Sequence, residues 1–573
     1  MCNPLVQRLI NPAAVPFQRT GLMLQRSLLN NNVNRVNMKE LPRQRAPGPQ
    51  RVTLICGLLR PSLGLLCLAL AACTVGPDFV RPDVPVNAGY THDQLSSTAQ
   101  ADIASGGAAQ RLINGMDIPG QWWTLFRSAA LNALVEEALR ANPNVSAAQA
   151  ALRQANELVY ADQASLFPSV GANLSKSREK VSGATTGASS SPILTLSSAS
   201  LSVSYAPDVF GGTRRQIESS TAQAEYQRFQ LEATYLTLTA NVVNSAISLA
   251  SIRDQVAATE EIIRLQSGQL DLLHAQRRLG AIADTDVLAQ QTALAQTRAT
   301  LAPLQKQLAQ TGNQLMVYLG RFPNQDRDER FNLASLHLPE QLPVSLPSAI
   351  VGQRPDVRAA QAQLHQASAD IGVAVANQLP QFSITGALGS TAASGTRLFS
   401  AGTGIWSLAG SIAQPIFDAG ALEHRKRAAV AAYDESAGLY RGTLLIAFQD
   451  VANALRALEF DAEALNQQVI AERSAQTSLD LVQAQFRLGA VAYINLLTAQ
   501  QSYQDTVLAR VKAQAARYSD TTALFQALGG GWWNRQDVDP ATTGKPDRFG
   551  LPSWQEVMPT HPETAPGSTQ LQE

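Results

Sequence analysis

The chain contains itself twice, and that constrains its fold more than any other feature. Residues 143–168 align without gaps to 355–380 with 11 identities in 26, including Pro143/Pro355, Val145/Val357, Leu152/Leu364 and Pro168/Pro380. A sharper match pairs Ala275-Gln276-Arg277-Arg278-Leu279-Gly280-Ala281 with Ala484-Gln485-Phe486-Arg487-Leu488-Gly489-Ala490, six of seven identical. Leu288/Leu497, Gln291/Gln500 and Leu319-Gly320/Leu528-Gly529 keep step downstream. A period of about 210 residues is too long for a solenoid unit, so a duplicated domain folds into one pseudo-symmetric body.

Each half carries the same parts. Asn142-Pro143 opens a helix, with Asn as cap and Pro at the first helical position, and Pro168 stops it. The period then changes to two. Val170, Ala172 and Leu174 alternate with Ser169, Gly171, Asn173 and Ser175, and Leu201, Val203 and Tyr205 alternate with serines. That predicts a β-hairpin over about 169–207 with one apolar and one polar face. Its counterpart over about 381–414 sets Phe382, Ile384, Trp406, Leu408 and Ile412 against Ser383, Thr385, Ser407 and Ser411.

Proline-free stretches follow at 213–278 and 421–488. Heptad spacing runs through Leu231, Tyr235, Leu238, Val242, Leu249, Ile252, Val256, Ile263 and Leu270, and then through Leu444, Phe448, Val451, Leu455, Leu458, Leu465 and Val469. A helix of about 65 residues is roughly 100 Å long. Arg-Leu-Gly ends each one, glycine being suited to a helix C-terminus. A shorter helix returns, over about 285–319 and 494–527, and stacked on the 143–166 helix it nearly matches the long one. The predicted fold is mixed α/β, mostly α, a duplicated unit of β-hairpin plus long coiled-coil helices.

Strands of about 10 residues are long enough to cross an outer membrane when tilted. A spanning sheet must close, because lipid cannot satisfy an open edge. Four strands cannot close alone. The membrane reading therefore requires an oligomer: two chains give eight strands, three give twelve. The other reading is a soluble hairpin packed on a core.

All four cysteines, Cys2, Cys56, Cys67 and Cys73, lie in the first 73 residues, so the rest of the chain supports neither disulfides nor cysteine metal sites. Residues 62–72 are an apolar run too short to span a bilayer, preceded by Arg51 and Arg60. The run ends Leu70-Ala71-Ala72-Cys73, which resembles the lipobox of bacterial lipoproteins. The resemblance implies cleavage before Cys73, which then carries diacylglycerol and an N-acyl chain. The alternative is a plain secretory signal with an incidental cysteine. Thr74, not Asp, follows the cysteine, which favours outer-membrane delivery. Residues 1–50 fit no signal peptide, and Met23 or Met38 is an expected alternative start. Lys+Arg and Asp+Glu balance at 45 each, so no basic excess points to nucleic acid.

The ordered segments Cys73-Thr74-Val75-Gly76-Pro77-Asp78-Phe79, Trp122-Trp123, Arg354-Pro355-Asp356-Val357, Gln414-Pro415-Ile416-Phe417 and Ala527-Leu528-Gly529-Gly530-Gly531-Trp532 resemble the TolC-like outer-membrane efflux family, in its lipoprotein (NodT-type) subfamily serving resistance-nodulation-division pumps. The likeness covers about 73–533. It implies a homotrimer with a twelve-stranded β-barrel in the outer membrane over a twelve-helix periplasmic tunnel. Its implied partners are a periplasmic membrane-fusion adaptor, an inner-membrane pump and outer-membrane lipid. By position it implies adaptor-contacting tips at Arg278-Leu279-Gly280 and Arg487-Leu488-Gly489. It also implies a periplasmic gate at Asp284, Asp286 and Asn495; Tyr493 and Asn495 are the second-repeat counterparts of the two acids and Thr498 stands where close relatives often place Asp, so the acidic ring is thin.

The segments expected on this reading are 1–72 (extension and signal peptide), 73–141 (anchor and equatorial segment), 142–330 and 331–532 (the two repeats), and 533–573 (a disordered tail rich in Pro, Thr, Gln and Gly). The six histidines form no i, i+4 pair and Gly529-Gly530-Gly531 lacks a following Lys-Ser/Thr, so no catalytic, metal or phosphate site is expected. The competing function is a periplasmic coiled-coil lipoprotein with a structural role and no channel.

Overall fold

The duplication reappears element by element in the computed structural model, which describes residues 74–83, 89–92, 95–182, 184, 191–325, 332–345 and 349–535, all within the unit Leu66–Glu573. Cys73, the segment before it and the tail from 536 lie outside the described residues. A short strand β1 (Arg111–Asn114) and helix α1 (Ala129–Ala141) precede the first repeat. That repeat runs α2 (Pro143–Ala164), β2 (Ser169–Lys180), β3 (Ile193–Tyr205), α3 (Gly212–Arg278) and α4 (Asp284–Tyr318). A strand β4 (Gln341–Val344) and one helical turn α5 (Ile350–Gln353) lead to the second. It runs α6 (Pro355–Ala376), β5 (Gln381–Ala392), β6 (Gly404–Ala413), α7 (Ala421–Arg487) and α8 (Tyr493–Ala527). Corresponding helices have equal lengths: 22 residues for α2 and α6, 67 for α3 and α7, 35 for α4 and α8.

The caps are where the sequence requires them. Asn142 accepts a hydrogen bond from the Asn144 amide at 2.9 Å and donates its side-chain amide to the Tyr318 carbonyl at 2.9 Å. That second bond joins the end of α4 to the start of α2, so two short helices stack into one column beside α3. The second repeat makes the same joint differently: Arg354, before α6, donates to the Ala527 carbonyl at the end of α8.

Along α3, Leu231, Leu238, Val242, Leu249 and Ile252 are buried. Farther down, Val256, Ile263 and Leu270 are only half-buried, and Gln255, Thr259, Ile262 and Gln266 take the buried positions instead. The buried row keeps its seven-residue steps from Leu231 and Leu238 through Ile252, Thr259, Gln266 and Leu273, so the heptad holds while its lower positions are filled by polar residues. Polar side chains are tolerated there because they bond within the helix: Thr259 donates to the Gln255 carbonyl at 2.8 Å, and Gln255 donates to the Ser251 hydroxyl at 3.2 Å. One window of α3 is apolar enough to cross a bilayer, but 61% of it is buried against other elements, so it is core rather than a span.

An aromatic core sits midway along the helices. Trp122 stacks on Phe525 of α8 with ring centroids 5.3 Å apart, and Phe126, Tyr518 and Leu131 are fully buried around it. Arg517, also fully buried, donates to the carbonyls of Gly106 at 2.9 Å and Ala108 at 3.0 Å, clamping the segment before β1 onto α8. β1 pairs in parallel with β4, tying that segment to the linker between repeats. The chain stays pinned just past the expected boundary at 532: Asn534 donates to Asp117 at 2.7 Å and Arg535 pairs with buried Glu232 at 3.3 Å.

On α8, burial and the hydrogen bond and charge of Asp461 push the Asp520 carboxyl up to about 8 from its ordinary 3.8. An acid whose folded value lies above its unfolded value holds its proton more tightly when folded. Its contribution is complete in acid and is lost as pH rises through the window from 3.8 to about 8. Asp520→Asn is expected to flatten the fall in thermal stability across that window. An unchanged slope in a pH series of melting curves would rule the pair out as its source.

The four long strands form one antiparallel sheet in the order β2-β3-β5-β6. Directly paired residues share a face. The register therefore gathers Val170, Val203 and Leu408, then Ala172, Leu201, Leu388 and Trp406, then Leu174, on one face. Serine, threonine and glycine dominate the other. The apolar face has no core over it: Leu174 is 77%, Trp406 79% and Leu408 73% exposed. From the Phe382/Ile412 pair to the rung of Leu174 the band covers about 27 Å of strand. β2 and β6 are free edges within the chain.

Candidate functional site

The end of the helices far from the sheet carries the candidate site. α3 and α7 close with the same Schellman pattern: the Ala281 amide donates to the Gln276 carbonyl at 3.0 Å, and the Ala490 amide to the Gln485 carbonyl at 2.9 Å. Gly280 and Gly489 both take φ +72°, with nothing within 4 Å of where a Cβ would stand. Leu279 and Leu488, the residues before them, are 84% and 85% exposed. Arg278 and Arg487 are exposed as well. Each turn thus presents an uncovered leucine beside a cation.

The acids expected next to the first turn divide in role. Asp284 is ion-paired with Arg277, whereas Asp286 lies half-buried in the first turn of α4. Asn495, its counterpart on α8, is exposed. Tyr493, the counterpart of Asp284, is buried with Leu273, Val287 and Leu496 in a small apolar cluster that joins the two repeats. Its hydroxyl donates to Gln290, whose amide donates to the Gln266 carbonyl at 2.8 Å. Burial, then the charge of Asp286, raises the Tyr493 pKa, so this hydroxyl stays a donor.

The sequence holds a signal for this aromatic core. The one mismatch within the AQxRLGA repeat sets Arg277 against Phe486, and the repeat offset sets Asp284 against Tyr493. In the first repeat those two positions form an ion pair; in the second, Phe486 and Tyr493 pack edge to face at 5.4 Å. The pair changed together because the two positions touch.

At the sheet end, the segment after Cys73 is strapped to the start of α3. The Val75 amide donates to the Phe210 carbonyl at 3.1 Å, and buried Arg215 donates to the Val75 carbonyl at 3.1 Å and to Asp78 at 2.6 Å. Gly76 lies against Gly372 of α6, where a Cβ would approach the backbone to 2.4 Å. His365 stacks on Phe79 at 4.4 Å and bonds Glu218 at 2.9 Å. Among the described residues no group of three or more His, Cys, Asp or Glu could hold a metal ion.

Residues 134–321 and 346–530 match the family model described as "Outer membrane efflux protein". The chain belongs to that family. It is 29% identical over 476 residues to the probable efflux pump outer membrane protein TtgC of Pseudomonas putida, covering 83% of this chain and 96% of TtgC. It is also 29% identical over 481 residues to the cation efflux system protein CusC of Escherichia coli, covering 82% and 97%. The solved outer-membrane channel OprN superposes with a TM-score of 0.71 at 27% identity, covering 80% of this chain and all of that one. As an outer membrane efflux protein the chain is the outer-membrane channel of an efflux pump, reaching into the periplasm, and not an enzyme. The exposed apolar face of its sheet is the surface such a channel turns to lipid.

Proposed function

We propose that three copies of this chain close a twelve-stranded barrel over a twelve-helix tunnel, anchored by lipid on Cys73. On this reading the tips at Arg278-Leu279-Gly280 and Arg487-Leu488-Gly489 dock on a periplasmic adaptor joined to an inner-membrane pump of the resistance-nodulation-division class. Drugs and other toxic small molecules then leave passively, energy coming from the pump. The single observation that carries this reading is the four-stranded sheet with an exposed apolar face and two free edges. An open sheet in lipid leaves backbone groups unsatisfied, so β2 must meet β6 of another copy. The lipid anchor is supported by the strap, which holds Thr74 against Gly211 where sheet passes into helix, level with the inner leaflet. Acyl chains on the preceding residue would lie along the barrel's periplasmic rim.

The test is direct. The purified protein should run as heat-sensitive trimers and conduct in planar bilayers, and Cys73→Ser should lose labelled palmitate while still conducting. A non-conducting monomer would sink the channel assembly and favour a structural coiled-coil lipoprotein. At the gate, Asp284 is occupied by Arg277, which leaves Asp286 as the acid available to a cation. Asp286→Ala is expected to weaken block of the channel by divalent cations, and unchanged block would remove Asp286 from the gate.

A further inference from the structure

Strand β2 changes character along its length on the apolar face. Val170, Ala172 and Leu174 are followed, on that same face, by Lys176, Arg178 and Lys180, and the whole strand is exposed. The three cations span roughly 14 Å of strand. They occupy the end away from the helices, because β2 leaves α2 at Ser169 and the strap sits at that near end. In the outer membrane this far end meets the outer leaflet.

Among the described residues no neighbouring strand supplies a counter-charge. β3, the strand paired with β2, contains no acidic residue. β6, the other free edge among the described residues and so the strand that meets β2 when copies close a ring, contains none either. The sequences 181–192 and 393–403 also contain no Asp or Glu. The one acid here, Glu179, alternates to the opposite face of the sheet. Three uncompensated cations above an apolar band match a ligand with acyl chains below and phosphates above.

We propose that Lys176, Arg178 and Lys180 bind the phosphates of lipid A, the phosphorylated glycolipid of the outer leaflet. The band beneath them takes the acyl chains, the long basic stems lie along apolar surface, and their heads make charge-assisted bonds to phosphate oxygens. This assignment rests on the membrane reading of the sheet.

The full-length channel in detergent is titrated with diphosphoryl lipid A, its dephosphorylated form and phosphatidylglycerol, with binding read by native mass spectrometry. The unaltered channel should prefer the diphosphoryl form. The K176Q/R178Q/K180Q variant should bind it on the order of a hundredfold more weakly, by the usual contribution of basic residues at an anionic membrane surface. Its single-channel conductance should be unchanged, and Lys176→Arg alone should keep the affinity. Equal binding by the triple variant, or an equal loss toward phosphatidylglycerol, would overturn the assignment. Failure of the unaltered channel to conduct would count instead against the membrane reading.

Discussion

Replacing Leu279 and Leu488 together by glutamine is expected to abolish export in cells and to leave the purified channel's conductance as it was. Both leucines sit one residue before an αL glycine, and both are more than four-fifths exposed. The turns close through backbone bonds from Gly280, Ala281, Gly489 and Ala490, none of which involves the leucine side chain. Folding therefore has little to lose. Glutamine keeps helix propensity and adds no negative charge at a helix C-terminus, where an aspartate would be disfavoured. Docking has much to lose, because burying one leucine contributes about 1.5–3 kcal/mol and each copy offers two. The measurement is dye accumulation in a host that depends on this channel, with crosslinking of the tips to the adaptor in parallel. Undiminished export by the double variant would mean that the tips are only turns.

The tips also mark where sequence reasoning reached and where it stopped. The long helices were legible because heptads and missing prolines are local signals, and the hairpins because alternation is. The duplication made every element visible twice, so Gly212–Arg278 and Ala421–Arg487 each vouched for the other's length. In the lower seam of α3 apolar spacing predicts Val256, Ile263 and Leu270, while packing buries Gln255, Thr259 and Gln266. Burial there follows the heptad row begun by Leu231 and Leu238, and residue type alone does not say which row faces the neighbouring helices. Tyr493, by its place in the repeat the counterpart of Asp284, brings no acid to the gate. It is the aromatic half of a contact whose other half, Phe486, had changed with it. Comparing the repeats position by position exposes such a pair; reading each motif alone does not. The buried carbonyl clamp of Arg517 had no sequence signal, since its partners at Gly106 and Ala108 are backbone atoms about 410 residues away.

The largest stability effects are expected at two glycines that the repeat also links. Gly320 and Gly529 follow α4 and α8 by the same number of residues, and both take left-handed backbone, φ +70° and +93°. Each abuts the last residue of the helix that precedes the other member of its stacked column. A Cβ on Gly320 would stand 2.4 Å from the Ala141 carbonyl oxygen, and one on Gly529 2.4 Å from that of Gln353. Neither carbonyl can yield easily, because Ala141 and Gln353 end the helices that lead into Pro143 and Pro355. Alanine must meet the left-handed penalty of about 1–2 kcal/mol together with a backbone overlap, so Gly320→Ala or Gly529→Ala should cost at least about 3 kcal/mol. Gly280 and Gly489 provide the control. They share the positive φ but face open space, so alanine there should cost only the conformational part, about 1–2 kcal/mol. Thermal melts of the four single variants should therefore fall into two well-separated pairs, joints far below tips. Equal losses at all four would show that backbone conformation alone governs these sites and that the columns are not held end to end by close contact.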